Sequence, residues 1–570
     1  SHNLAVSDRR YGYLNGQQLY SATYDSNFNL VSYSKSLFAV SPIDYGNTKE
    51  WVSAIPEYMT NPVPPQFSGQ YAYDKAISSS KHIRLVEKHI SLQDEGISTD
   101  YKEIFSNFNT YEKPQLIEQD GPSGNRRIKQ GFAHNTATWV LNKPTTVDVS
   151  INNESYKRLS ELTYYSATSS NTSYRFQVKD EKYFGTTRKT YSGYHSATGS
   201  KGQLQHVDLH LNTSGAKRRI TFENYKRGIA QTVRVPNRYT TGTMSMTKVV
   251  DNNGWVITST DFNGTSNRYR YDKAGLIAAM DLESDTSVSD GNWRDQLFSY
   301  SYLSSGGLVR TTRHCTLNAA MDACSGSTSI TTTETFDALY RLTKRRINGS
   351  AEDRYQLFDY NANNQVIFES FKSGSNSESR GTTKTYDAIR RLSTESVSGL
   401  GTTQYNYLAD NSLEVVDANG NSTKISYRSF AAPSYQTTTM IESPERVTTD
   451  ITYDTFANVK SITQSGGSQS QTENRFYDSN NNLCLVSRKD IGNVRSSFNL
   501  LGELQWQAHG TVSSCSSSKP SYAVDFSYDN LGDLRYVNYP DSSPDIDYTL
   551  DNVGNIKTLK AGSVISSYTY

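Results

Sequence analysis

Long apolar runs are absent. No stretch of about 18 apolar residues occurs, so the sequence holds nothing that would cross a bilayer as a helix. An excess of charge is absent too: Lys plus Arg number 58 against 57 for Asp plus Glu, both signs being spread without long blocks. That balance gives no electrostatic support to a nucleic-acid or anionic-membrane partner. Apolar residues are scarce, 35% even with Tyr counted among them. A compact chain of this length normally buries most of its surface behind a richer core. A thick oily interior is therefore not expected.

Cysteine is limited to four residues, which fall as two pairs, Cys315 with Cys324 and Cys484 with Cys515. Two readings are open. The four can be buried thiols, the general habit of Cys. They can also be disulfide candidates closing loops of roughly ten and thirty residues, each worth about 2 to 4 kcal/mol. Disulfides would place the protein outside the cytosol. Neither pair has zinc-knuckle spacing, and only His314 lies close, so no metal is expected. The chain opens on "SHNLAV" with no Met and ends on "SSYTY", where another unit would begin, the expected look of a piece of something longer.

What the sequence has in quantity is tyrosine, 41 residues. Such rings pack on their faces while the hydroxyl stays wet or hydrogen-bonded, which suits thin sheet walls with water near both faces. Many of these tyrosines belong to one repeated phrase. "YDNLGDLRY" at 528 to 536 returns as "LDNVGNIKT" at 550 to 558. Looser copies are "YDSNFNL" at 24, "YDKAGLI" at 271, "FDALYRL" at 336, "YNANNQV" at 360, "YDAIRRL" at 386, "YDTFANV" at 453, "YDSNNNL" at 477 and "FNLLGEL" at 498.

Each position has a task. The Asp or Asn accepts backbone N–H bonds and starts a type I turn. Three residues on, Gly275, Gly502, Gly532 and Gly554, or Asn364 and Asn481, supply a left-handed residue that closes a bulged hairpin. Phe28, Tyr340, Arg390 and Ala457 stand there in other copies, where a left-handed conformation costs about 1 to 2 kcal/mol, so a different turn shape is expected for them. Period-two text around the turns, as in "TTKTYDAI" and "VDFSYDNL", predicts strands. The candidate structural residues are accordingly Tyr271, Asp272, Gly275, Asp337, Tyr386, Asp387, Tyr453, Asp454, Tyr477, Asp478, Tyr528, Asp529, Gly532, Asp551 and Gly554. The predicted fold class is all-β: a hairpin array whose units pair edge to edge and coil into a superhelical sheet.

With "NRYRYDKAGLI", "TKTYDAIRRL", "DFSYDNLGDLRYVNYPD" and "IDYTLDNVGNIKTL" in view, the chain resembles YD-repeat proteins of the Rhs type, related to the B and C components of bacterial Tc toxins and to teneurins. The resemblance is specific from about 220 onward, giving a divergent β-rich region at 1–220 and a regular array, cut short at its C-terminus, at 221–570. It implies a hollow cocoon-like shell, the encapsulating part of a secreted polymorphic toxin that carries a C-terminal toxin cargo. The family's arrays are followed by a Pro- and Asp-containing cleavage motif, which these 570 residues do not include. The implied partners are that cargo and a secretion or delivery machine, and the implied location is secreted or cell-surface, in a bacterium. The alternative is a teneurin-like adhesion or carbohydrate-binding array, with Trp51, Trp139, Trp255, Trp293 and Trp506 available to stack on cell-surface glycans.

Enzyme chemistry finds little footing, and no cofactor or catalytic residue is expected. "DSNNNL" (478 to 483) and "DANGNS" (417 to 422) begin like calcium loops but lack the closing Glu and read as turns. "GYHSATGSKG" at 193 to 202 has the wrong glycine spacing for a phosphate loop and reads as a solvated turn. His206, Asp208 and His210 fall on one strand face, as a metal facet or, more simply, a solvated face. An activity, if present, is expected in 1–220, where the repeat signal is weakest and loops such as "NPVPPQFSG" are longest.

Overall fold

The computed structural model describes residues 2–3, 20–25, 29–41, 50–51, 82–94, 97–169, 172–282, 295–325, 330–349, 352–510, 514–515 and 518–569. Phe28, Trp293 and the segment at 61 to 69 lie outside the described residues. The all-β prediction holds. Among the described residues the helical content is one 3-10 turn, Thr136–Thr138, and everything else regular is strand. No helix among them is long and apolar enough to cross a membrane.

Two units are present. The first is Ser1–Glu161 with Thr385–Glu395 and Gly401–Thr472; the second is Leu162–Lys384 with Ser396–Leu400 and Glu473–Tyr570. Each is built hairpin upon hairpin. In the first, Thr438–Glu442, Val447–Tyr453 and Val459–Gly466 pair antiparallel in succession. In the second, Val524–Tyr528, Leu534–Asn538, Ile546–Leu550, Ile556–Ala561 and Val564–Ser567 do the same. Hydroxyl pairs cross the hairpins, Thr549 with Thr558 at 2.6 Å and Thr463 with Thr472 at 3.0 Å, which suits β-branched residues facing one another on a pleated surface.

Both faces of these strands stay partly open. Ser266–Tyr271 and Ser422–Tyr427 are half-buried at every position, where a sheet packed on a second layer would alternate buried and exposed. Among the described residues the largest fully buried side chains include polar ones, Asn411, Asp208, Ser91, Ser150, Ser412 and Ser429, beside Tyr101, Leu485, Val250 and Cys315. The poverty in apolar residues thus matches a sheet whose cohesion comes from ladders, rings and polar contacts.

At many of the turns the register slips by one residue, although those between Tyr302 and Leu308, Tyr407 and Leu413, and Val416 and Ser422 keep it. Tyr528 opposes Leu534 while Ser527 opposes Tyr536, and the same slip recurs at Tyr271, Phe336, Tyr360, Tyr453, Tyr477, Phe498 and Leu550. This is the bulge that a left-handed residue after a type I turn creates. Here one expectation is corrected. Tyr340, Arg390 and Ala457 adopt φ of 59°, 71° and 66°, the same left-handed turn as the glycine copies. The bulge sets the conformation, and the side chain at that position bears the strain.

Ala457 tests this, because it is exposed and brings no polar group to support a left-handed backbone. Ala457→Gly is expected to raise stability by about 0.5 to 1 kcal/mol, the relief of strain exceeding glycine's entropic cost. The shift of the urea unfolding midpoint at unchanged slope measures it; a destabilised variant would mean the turn is unstrained.

Candidate functional site

The turn aspartate is the unit from which the rest is built. Asp272 Oδ1 accepts the backbone N–H of Ala274 at 2.8 Å and of Leu276 at 2.9 Å, and the Asp272 N–H donates to Leu276 O at 2.8 Å. Asp337, Asp387, Asp454, Asp478, Asp529 and Asp551 repeat the pattern on the residues two and four ahead. At Asp337 these donors, led by the Arg341 N–H and joined by its guanidinium, hold the carboxyl below its ordinary range against the opposing effect of burial. The calcium look-alikes are used in the same way: Asp478 takes Asn480 and Asn482, and Asp417 takes Asn419 and Asn421.

In six of these turns the second carboxylate oxygen has its own partner four residues on, which sequence reasoning missed. Asn421, Asn458, Asn482 and Asn555 each donate Nδ2 to it at 2.9 to 3.0 Å. Arg341 and Arg391 fill the same place with Nε at 2.7 Å. The signal was available, since Asn or Arg recurs four residues after the Asp.

The tyrosine before the turn joins one unit to the preceding one. Tyr271, Tyr360 and Tyr528 donate their hydroxyls to the carbonyls of Val256, Leu342 and Leu504 at 3.1, 2.9 and 2.9 Å, and Tyr453 does the same to Thr438. Each acceptor opens a strand of the preceding hairpin. Burial pushes all four phenols above their ordinary value, so they remain donors across the physiological range. Tyr386 and Tyr477 end the strands Gly381–Tyr386 and Gln469–Tyr477 in the corresponding place.

A third device joins stretches far apart in sequence. In the second unit Arg188 donates to the carbonyls of Asn480 and Leu500, Arg218 to Asn530 O and Glu503, and Arg238 to Asn552 O and the carboxylates of Asp529 and Asp533. The sequence separations run from 285 to 314 residues. Arg238 is 4% exposed and the Asp529 side chain is fully buried, so this contact is an internal pair. Gly532 borders the neighbouring Arg218–Glu503 pair: a Cβ there would stand 2.3 Å from Glu503 Oε1 and 2.9 Å from Arg218 Nη2 and would push the ends of those side chains aside, while the φ of 98° itself favours glycine. In the first unit, Tyr101 OH reaches Asn411 Oδ1 at 3.1 Å and Ser123 exchanges two bonds with Ser429. No pattern in the sequence marks these partners.

Both cysteine pairs are bonded, Cys315–Cys324 and Cys484–Cys515, with Cα separations of 5.7 and 5.5 Å. The His206–Asp208–His210 face is neither a metal facet nor solvated. Asp208 is fully buried between Lys217 Nζ at 2.8 Å and Arg219 Nε at 2.7 Å, while His206 and His210 meet the Thr221 and Thr190 hydroxyls. Burial alone would raise the Asp208 carboxyl, but hydrogen bonds from Arg219 and Lys217 outweigh it and hold it far below its usual range. Among the described residues no group of three His, Cys, Asp or Glu is placed to hold a metal. Of the tryptophans, Trp139 is 81% exposed, Trp506 is buried beneath Arg495, and Trp255 packs on Tyr271.

No family model matches the chain, and no curated protein matches it either. Among solved structures it is similar to the crystal structure of TcdB2-TccC3, at 11% identity and a TM-score of 0.47, over 100% of this chain and 41% of that one. The same complex without its hypervariable C-terminal region gives 10%, 0.45, 98% and 42%. The Photorhabdus luminescens Tc holotoxin pore gives 10%, 0.37, 96% and 30%. The chain spans less than half the length of these neighbours. Likeness at such identities and TM-scores assigns neither family nor activity.

Two outcomes are expected. Tyr528→Phe should cost about 1 kcal/mol through the unpaired Leu504 carbonyl, read as a loss of amide-exchange protection at the joint between the hairpins. Asp208 has its folded value depressed, so its contribution is full above the unfolded carboxyl range near 4 and is lost as pH falls through the folded value. Acid unfolding of the wild type should therefore show a component below about pH 4 that Asp208→Asn removes. An unchanged acid limb in that variant would show that the Lys217–Asp208–Arg219 cluster contributes nothing.

Proposed function

We propose that this chain is a structural wall of the YD-repeat kind, which encloses and carries a polypeptide cargo and is not an enzyme. The carrying observation is the repeated joint: a turn held by its own aspartate, tied by tyrosine to the hairpin before it, in strands left half-open on both faces. Such a joint extends a sheet indefinitely without a second layer, which is the property a container needs. Backbone groups are satisfied within the wall, so it can stand between a cargo chain and the solvent. The two disulfides support a location outside the cytosol, secreted or at the surface of a bacterial producer, with a delivery machine as partner. A glycan-binding surface array is the second reading, favoured by the exposed Trp139 alone.

Small-angle scattering tests enclosure directly. A solid globule of 570 residues would have a radius of gyration of about 25 Å. A curved or hollow wall is expected to exceed that clearly, with a pair-distance distribution shifted toward long vectors. A value at the globular figure would overturn the reading.

A further inference from the structure

Most arginines of the array have an acceptor; among the described residues Arg428, in the first unit, has none. Its guanidinium carbon lies 5.0 Å from the Phe430 ring centroid and 5.5 Å from that of Tyr453. Among the described residues no carboxylate comes within ion-pair distance of it, and its side chain donates no hydrogen bond. The nearest charges are Arg126, which repels it, and Asp454, whose oxygens already accept from Phe456, Asn458 N and Asn458 Nδ2. Burial, reinforced by Arg126, pulls the guanidinium below its usual basicity, the mark of a cation short of an anion.

Arg428 borders a groove of about 520 Å³, which Ser123, Lys157, Tyr453, Thr455 and Lys460 also line. Lys157 is committed to Thr455 Oγ1 at 3.1 Å and Glu154 at 3.7 Å. Lys460 is exposed and, among the described residues, has no ion-pair partner. The carboxylates of Glu154 and Asp454 line the groove as well, so its charged groups leave one net positive charge.

We propose that this groove binds a single carboxylate group, with Arg428 as its planar fork and Lys460 as the second cation. Guanidinium geometry matches a carboxylate edge to edge, and stacking on two rings fixes the fork before the ligand arrives. One net positive charge suits a monoanion; a phosphate dianion would leave the site negative. The volume exceeds what a carboxylate needs and has room for the group that bears it, an acidic amino-acid side chain or a sugar acid. The site stands independently of the enclosure reading, since it rests on unpaired charge rather than on the course of the wall.

Titration calorimetry of the full chain tests it, with N-acetylglutamate methylamide and glucuronate as monocarboxylate probes. Their neutral counterparts, N-acetylglutamine methylamide and glucose, and inorganic phosphate serve as comparisons. At least one carboxylate is expected to bind with a millimolar constant, its neutral counterpart and phosphate more weakly, and which one binds identifies the bearer. Arg428→Gln and Lys460→Gln should each weaken it about tenfold, the loss of one charge-assisted contact. Lys460→Gln removes an exposed side chain, so it keeps the test valid should Arg428→Gln fail to fold. No carboxylate binding at tens of millimolar, phosphate binding as tightly, or a Lys460→Gln protein that binds unchanged would overturn the proposal.

Discussion

One carboxylate accepting two backbone N–H groups across a five-residue turn is the contact on which the rest depends. It closes the hairpin, and the bulge that follows sets which face each later side chain takes, since a slip of one residue would invert the strand. Because the acceptor is a side chain of the turn itself, the corner needs nothing from a core. That independence lets a chain so poor in apolar residues fold at all.

A hairpin held only at its corner is marginal in water, and two further devices supply cohesion. The tyrosine hydroxyl reaches back to the preceding hairpin and makes neighbours interdependent, which gives the stability of a repeat array its nearest-neighbour character. Its ring remains half-buried, so the apolar gain and the hydrogen bond come from one residue. Arginines and asparagines then tie turns to stretches about three hundred residues distant. In the second unit Arg238 and Asp529 are almost wholly removed from water, and such a pair tolerates the loss of neither partner, because the survivor would be a buried lone charge.

Strain is distributed unevenly along the array. Copies with glycine or asparagine at the left-handed position meet the bulge at little cost, while Tyr340, Arg390 and Ala457 do not. Their side chains were expected to reshape those turns. Tertiary context prevailed, because a turn of another shape would break the register that both flanking strands share with their neighbours. The His206–Asp208–His210 face shows the same dominance: alternation placed the three together, yet which cations stand opposite was a matter of pairing with the strand Lys217–Lys226.

The amino-acid sequence by itself determined the hairpins, their turn residues and the all-β character, because each is decided within about ten residues by turn chemistry and a period of two. The Asn or Arg that closes six of the turn aspartates was equally local and equally legible. Tertiary structure alone decided that Arg188, Arg218 and Arg238 meet turns some three hundred residues away, that Tyr101 finds Asn411, and that Arg428 lies over the Phe430 and Tyr453 rings. Those outcomes depend on how small twists accumulate over many strands, and no single stretch of sequence encodes such a sum.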